Sequence, residues 1–249
     1  MKKIVSLPAL MLLFFLPISA TAQTDISFET EDGVTVYGYE YLHSDKEAPV
    51  ILLFHQGGGN ALAEYSSIIP KLLEAGFSAT AVDQRVGGSY LGGENKTAKA
   101  VEFKDGYCHA YPDLVATLNY AQRKFPGKKF IVWGSSYSAS LATKLTAEYP
   151  DKISGLLSFS PASGGPMVEC KADLFSDIVT VPSIFLRPAS EMEREASVAQ
   201  FELFKEQGHR VYIAENGVHG SSMLNPERVD GSLEKQWNVV LSFLKSIEK

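Results

Sequence analysis

Chemistry is first expected in this chain at a serine framed by small residues. Val132-Trp133-Gly134-Ser135-Ser136-Tyr137-Ser138-Ala139 passes from an apolar strand pattern into helical spacing, and the turn between them falls on Ser136. A sharp strand-to-helix turn pushes a hydroxyl clear of the backbone. Small residues two places before and two after let strand and helix approach each other. Size decides the register. With Ser136 at the turn those neighbours are Gly134 and Ser138; with Ser135 one of them would be the bulky Trp133; with Ser138 the turn would begin inside the helix. A hydroxyl so placed suits nucleophilic attack once a base takes its proton. The competing reading is a serine-rich helix start, in which Ser135 or Ser136 only caps the helix.

The surrounding pattern must supply the scaffold. Ile26 to Thr30 and Val34 to Tyr41 read as an N-terminal hairpin turning at Asp32-Gly33. Val50 to Phe54 is a continuous apolar run, the mark of a strand covered on both faces. Further strands are predicted at Phe77 to Val82, Lys129 to Trp133, Ile153 to Phe159, Ser183 to Leu186 and Arg210 to Ala214. Helical spacing fills Glu64 to Ala75, Pro112 to Lys124, Tyr137 to Tyr149, Glu191 to Gln207 and Leu233 to Ile247. Residues 84–106 read as an irregular excursion. Short buried strands alternating with helices imply an α/β fold, a mostly parallel central sheet with helices on both faces. In such sheets function gathers beyond the carboxyl ends of the strands.

With 249 residues, the chain suits one large α/β domain and can bury a core without a metal. A net charge of −6 and the absence of basic runs interleaved with aromatics argue against a nucleic-acid partner. The first segment reads as a signal peptide: Lys2 and Lys3, an apolar run from Ile4 to Ile18 broken by two prolines, then Ser19-Ala20-Thr21-Ala22 before Gln23. A spanning helix wants about 20 apolar residues, so cleavage after residue 22 is expected, leaving no stable membrane insertion. Residues 23–249 then form a single domain, secreted or periplasmic. In an oxidising compartment the two cysteines, Cys108 and Cys170, are expected to pair, with two free thiols as the alternative. No Cys-x-x-Cys occurs, so neither a zinc site nor a dithiol redox site is expected.

Three further segments give this strand-to-helix turn, an elbow at Ser136, its context. Val50 to Phe54 runs into His55-Gln56-Gly57-Gly58-Gly59-Asn60; the next strand runs into Asp83-Gln84-Arg85-Val86-Gly87-Gly88-Ser89; and Val181-Pro182 opens a strand that turns before Glu191. This series, closed by His219 after the last strand, resembles the α/β-hydrolase superfamily, particularly small serine esterases near the dienelactone-hydrolase group. The resemblance spans most of residues 50–220. It implies that Ser136 is the nucleophile, that His219 is the general base and that Glu191 is the acid of the triad. The carboxylates Glu193 and Glu195 compete with Glu191, and Asp173 and Asp177 follow. His43, His109 and His209 have no comparable placement, and His55 is read as a brace for its loop. The implied oxyanion donors are the amides of Gly57 and Tyr137, with Gln56 as the alternative to Gly57. Asp83 and Arg85 are implied to be structural.

The chain departs from the family pattern in carrying Gln56 for glycine, Ser138 for glycine, Glu191 for aspartate, and serine where dienelactone hydrolases have cysteine. Too little sequence lies between Phe159 and Val181 for a large lid, and residues 84–108 and 161–178 are expected to form the rim. The implied activity is hydrolysis of a small carboxylic ester through an acyl-enzyme, with no cofactor or metal. A peptidase or amidase using the same triad, or a non-catalytic binding protein on this fold, are the alternatives.

Overall fold

The computed structural model describes residues 23–101 and 106–247. The expected signal peptide, residues 1–22, lies outside the described residues. Among the described residues eight strands form one sheet: β1 (Gln23–Glu29), β2 (Thr35–Tyr41), β3 (Val50–Phe54), β4 (Ser78–Val82), β5 (Phe130–Ser135), β6 (Ile153–Phe159), β7 (Ser183–Pro188) and β8 (Arg210–Ala214). Their spatial order is β1-β2-β4-β3-β5-β6-β7-β8. The β1–β2 and β2–β4 pairs are antiparallel and the remaining pairs are parallel, so the expected hairpin sits at one edge of a parallel sheet.

Period-2 alternation explains why β3 reads as an unbroken apolar run. Val50, Leu52 and Phe54 enter the core on one face, while Ile51 and Leu53 enter the core on the other. All five are buried. On the first face lie α4 (Tyr111–Lys124), α5 (Tyr137–Glu148) and α6 (Glu195–Glu206), which contribute Leu114, Leu118, Leu141, Leu145 and Phe204. On the second lie α1 (Ala61–Tyr65), α2 (Ile69–Glu74) and α7 (Glu234–Ile247), with Tyr65, Leu72, Val240 and Phe243.

Three expectations about local structure are corrected. The helix expected over Glu64 to Ala75 is two, α1 and α2, separated at Ser66 to Ile68. Pro70 accounts for the break, because its ring collides with the carbonyl four residues back in a continuous helix. The excursion at 84–106 holds a short helix, α3 (Lys96–Ala100), capped by the Asn95 side chain, which accepts from the Ala98 amide at 2.7 Å. Glu191 does not open α6 but lies in a 3₁₀ turn, Ala189–Glu193, ahead of it. Its carboxylate is drawn to side chains across the loop and away from the helix start.

Asp83 and Arg85 act as the anchors the resemblance implied. The Asp83 carboxylate accepts from the Ala61 amide (2.9 Å) and the Lys96 amide (2.8 Å), so it fixes the starts of both α1 and α3. Arg85 donates to Asp113 on α4 through Nε (2.8 Å) and to Asp32 in the hairpin turn through Nη2 (2.9 Å). Burial pushes the Asp113 carboxyl up, against the opposing pull of Arg85. The Arg85 hydrogen bonds hold Asp32 well below the usual carboxylate range, outweighing its partial burial.

Cys108 and Cys170 are joined in a disulfide that closes a separation of 62 residues. It ties the 3₁₀ turn before α4 to the rim segment after β6. A loop of this length gives about 4 kcal/mol on the chain-entropy argument. Cys108→Ser and Cys170→Ser are each expected to lower the unfolding free energy by up to that amount, read from urea titration. Free alkylation of both thiols in unreduced, denatured protein would contradict the pairing.

Candidate functional site

The sheet reverses its winding at β3: β4 is added on one side and β5 on the other. Parallel pairing places Phe54 beside Gly134, so the loop after β3 and the turn after β5 emerge next to each other at the carboxyl edge. Ser136 occupies that turn with φ 61° and ψ −120°. Positive φ is uncommon for a residue with a side chain, and holding it costs about 1–3 kcal/mol. The turn is pinned on both sides: the Ser136 amide donates to Phe159 O (2.8 Å), and Ser136 O accepts from the amides of Ala139 (3.0 Å) and Ala162 (3.2 Å). Ser136 is half-buried, and so reachable, whereas Ser135 and Ser138 are fully buried.

Its small neighbours do the work that spacing assigned to them. A Cβ on Gly134 would stand 2.4 Å from Ser138 O and 2.6 Å from Ala139 Cα, so only glycine lets β5 meet α5 so closely. Ser138, where glycine is usual, keeps its hydroxyl satisfied by donating to His55 O at 2.5 Å. It thereby ties the helix to the end of β3. His55 is the brace expected of it: the ring lies fully buried, with Nδ1 2.8 Å from Gln56 O, and Nε2 accepts from the Gln84 amide at 2.9 Å. Burial lowers its pKa, which suits that neutral form.

The two candidate oxyanion donors separate cleanly. The Gln56 amide points inward and donates to the Glu64 carboxylate at 2.6 Å, so it is already committed. Gly57, the next residue, is half-buried and faces the Tyr107 ring, which a Cβ on Gly57 would approach to 3.0 Å. Tyr107 stacks on Tyr137 at 4.8 Å, and the Tyr137 hydroxyl donates to Val86 O at 2.7 Å. The Tyr137 amide is the first of α5, one of those that have no partner within a helix.

His219 and Glu191 are brought together. His219 Nδ1 lies 2.5 Å from Glu191 Oε1, the carboxylate is buried, and the imidazole is about half exposed. The Arg187 guanidinium donates to the other oxygen, Oε2, at 2.5 Å. Burial would raise the Glu191 pKa, but the His219 bond and the Arg187 charge outweigh it and hold the group below the usual carboxylate range. Glu193, Glu195 and Asp177 are exposed, and Asp173 takes a hydrogen bond from Gln200. His209 sits at the far end of β8, between Ser183 Oγ (2.6 Å) and Ser176 O (2.7 Å).

No direct Ser136–His219 hydrogen bond is formed, an ordinary condition where such bonds tighten only with substrate. The two loops are nonetheless locked together. Gly220, next to His219, donates its amide to Ser160 Oγ (3.0 Å), and Ser221 donates its amide to Ser135 Oγ (2.9 Å). Beside His219 a cleft of about 490 Å³ is lined by Gln56, Tyr90, Leu91, Ser222 and Arg228.

The alpha/beta hydrolase fold family matches residues 49–222, which span β3, the elbow and His219. The chain belongs to that family. Solved structures agree on the fold. An esterase of Pyrococcus furiosus superposes with a TM-score of 0.69 at 17% identity, covering 92% of each chain. A dienelactone hydrolase of Anabaena variabilis gives 0.68 at 15%, covering 90% of this chain and 97% of that one. An acylaminoacyl peptidase of Pyrococcus horikoshii gives 0.66 at 16%, covering 90% of this chain but 41% of its own length. No curated protein matches at the level of sequence.

Within this α/β-hydrolase, sequence reasoning missed three residues that shape the site: Arg187, Glu64 and Ser160, whose φ of 49° is also positive. Arg187 directly follows the apolar run Ile184 to Leu186 at the end of a buried strand, an oddity that could have marked it. Ser160 carried no local signal. Glu64 opened the helix predicted over Glu64 to Ala75, where a carboxylate next to Tyr65 was the available clue. Gly134→Ala is expected to destabilise the fold by about 3 kcal/mol, since the added methyl meets backbone that cannot retreat. Thermal unfolding of the variant checks this, and an unchanged midpoint would contradict the close approach.

Proposed function

We propose that this α/β-hydrolase is an exported serine hydrolase that cleaves small carboxylic esters through Ser136, His219 and Glu191. The observation that carries the reading is the buried Glu191 held between His219 and Arg187, together with a strained and reachable Ser136. In this reading His219 takes the Ser136 proton as the hydroxyl attacks the ester carbonyl. The Gly57 and Tyr137 amides receive the oxyanion, and the alkoxide leaves with the proton returned by His219. Water, deprotonated by the same imidazole, then releases the acid. Glu191 fixes the imidazole tautomer and stabilises the imidazolium. Arg187 keeps Glu191 ionised in its buried setting.

The cleft of about 490 Å³ beside His219 is of a size to hold a small ester. The esterase and the dienelactone hydrolase that share the fold support ester chemistry, while the acylaminoacyl peptidase keeps amide cleavage as the second reading.

A fluorophosphonate is expected to label Ser136, and Ser136→Ala to stay folded while losing hydrolysis of a nitrophenyl ester. Labelling at Ser135 or Ser138 instead would overturn the assignment. Glu191→Gln should lower kcat by up to about 10⁴-fold, while Glu193→Gln and Glu195→Gln stay within a few-fold. A near-parental Glu191→Gln enzyme would exclude it as the acid. Export is supported by the segment before Gln23 and fits the Cys108–Cys170 disulfide. Mass spectrometry of the exported protein should find a chain beginning at Gln23, and retention of residues 1–22 would contradict cleavage.

A further inference from the structure

One buried carboxylate has no part in the proton transfers just described. Glu64, on α1, is 1% exposed, and among the described residues the groups hydrogen-bonded to it are donors. The Gln56 amide reaches Oε2 at 2.6 Å, the Ser135 hydroxyl reaches Oε1 at 2.5 Å, and Gln56 Nε2 stands 3.3 Å from Oε1. Those donors belong to different loops. Gln56 precedes the candidate oxyanion glycine, and Ser135 precedes the candidate nucleophile. Ser135 Oγ also accepts from the Ser221 amide at 2.9 Å, and Gln56 Nε2 donates to Ser222 Oγ at 3.1 Å, so the loop that carries His219 joins the same cluster.

The fit leaves no slack. Gly220, between His219 and Ser221, has φ +67°, and a Cβ there would stand 2.3 Å from Ser135 Oγ and 3.6 Å from Glu64 Oε1. Burying an ionised carboxylate is unfavourable unless donors converge on it, and here they do. We propose that Glu64 is a positioning residue: by accepting from Gln56 and Ser135 at once, it sets the oxyanion loop, the elbow and the histidine loop in one catalytic register. The proposal rests on the serine-hydrolase reading above.

Orientation is the first consequence. Fixing the Gln56 amide inward fixes the peptide that follows, and with it the direction of the Gly57 amide. Glu64→Gln keeps the size of the side chain but turns one acceptor oxygen into a donor facing Ser135 or Gln56, so those hydrogen bonds must rearrange. Charge is the second. The groups that face Glu64 are the cation of Arg228, the His219 ring, the phenol of Tyr65 on its own helix and the phenol of Tyr137 on α5. Burial raises the Glu64 pKa, while the Ser135 and Gln56 bonds and the nearby His219 and Arg228 oppose that rise. A carboxylate here favours the imidazolium, so a neutral amide disfavours it.

The test compares the parental enzyme, Ser136→Ala, Glu64→Gln and Ser135→Ala on a nitrophenyl ester, with folded active sites counted by fluorophosphonate titration. Glu64→Gln is expected to lower kcat per titrated site by about 10- to 100-fold, because a misplaced oxyanion donor loses part of its effect. KM should stay within about three-fold, and the acid limb of kcat/KM should move to lower pH. Ser135→Ala, which removes one donor and the link to Ser221, should lower kcat by a smaller factor; it decides the matter if Glu64→Gln does not fold. Parental kcat and an unmoved pH limb in Glu64→Gln, or parental kcat in Ser135→Ala, would overturn the positioning role while leaving the hydrolase reading intact. A parental protein that neither hydrolyses the ester nor reacts with the probe would overturn both.

Discussion

The strained backbone at Ser136 is the constraint on which the rest of the site depends. A φ of 61° is held because the chain is gripped before, at and after the turn: by the missing side chain at Gly134, by the Phe159 carbonyl and by the Ala162 amide. The grips come from the buried strands β5 and β6 and from the half-buried start of the segment that follows β6. Strain of about 1–3 kcal/mol survives only where surrounding packing over-determines it. That packing is the two-faced core around the central strands, where β3 divides its five apolar residues between both layers.

Electrostatics then distributes roles among similar groups. Glu191, Glu64 and Asp113 are all buried acids, yet each meets different partners. Asp113 pairs with Arg85 and joins the hairpin to α4. Glu191 lies between an arginine and an imidazole, so burial is outweighed and its charge is kept. Glu64 accepts from hydroxyl and amide donors, with cations only nearby, so burial raises its pKa although those donors suit the charged form. The carboxylate suited to orienting a histidine is therefore the one with the strongest cationic surroundings, and the other two are suited to holding loops.

The cores and the site are coupled through single residues. Trp133, which excluded Ser135 as the elbow serine on size, is buried against Phe159 at 4.5 Å and donates its indole N–H to Ser221 Oγ at 2.8 Å. The strand that precedes the candidate nucleophile thus also steadies the loop of the candidate base. Tyr65 links α1 to β3 in the same manner, its hydroxyl donating to Phe54 O at 2.7 Å.

Much of this architecture was legible along the chain because it is written in short-range periodicity. Apolar runs of five residues, glycines at turns and helical spacing placed all eight strands and most of the helices. The size of Trp133 chose Ser136 from its neighbours, and the Glu191 to His219 contact was anticipated from the resemblance and order along the chain. What stayed hidden depends on distance in sequence. Glu64 and Ser135 are 71 residues apart, and Ser135 and Ser221 are 86 apart, so no local pattern relates them. The sequence by itself determined an alternating α/β chain with a serine at a strand-to-helix turn, since dihedral preference and burial period are local properties. Only the tertiary structure decided that the Gln56 amide faces Glu64, while Gly57 lies against the Tyr107 ring, and that Arg187 stands behind Glu191. Hydrogen bonds and ion pairs are matters of a few ångströms, and those are fixed only when the sheet brings its loops together.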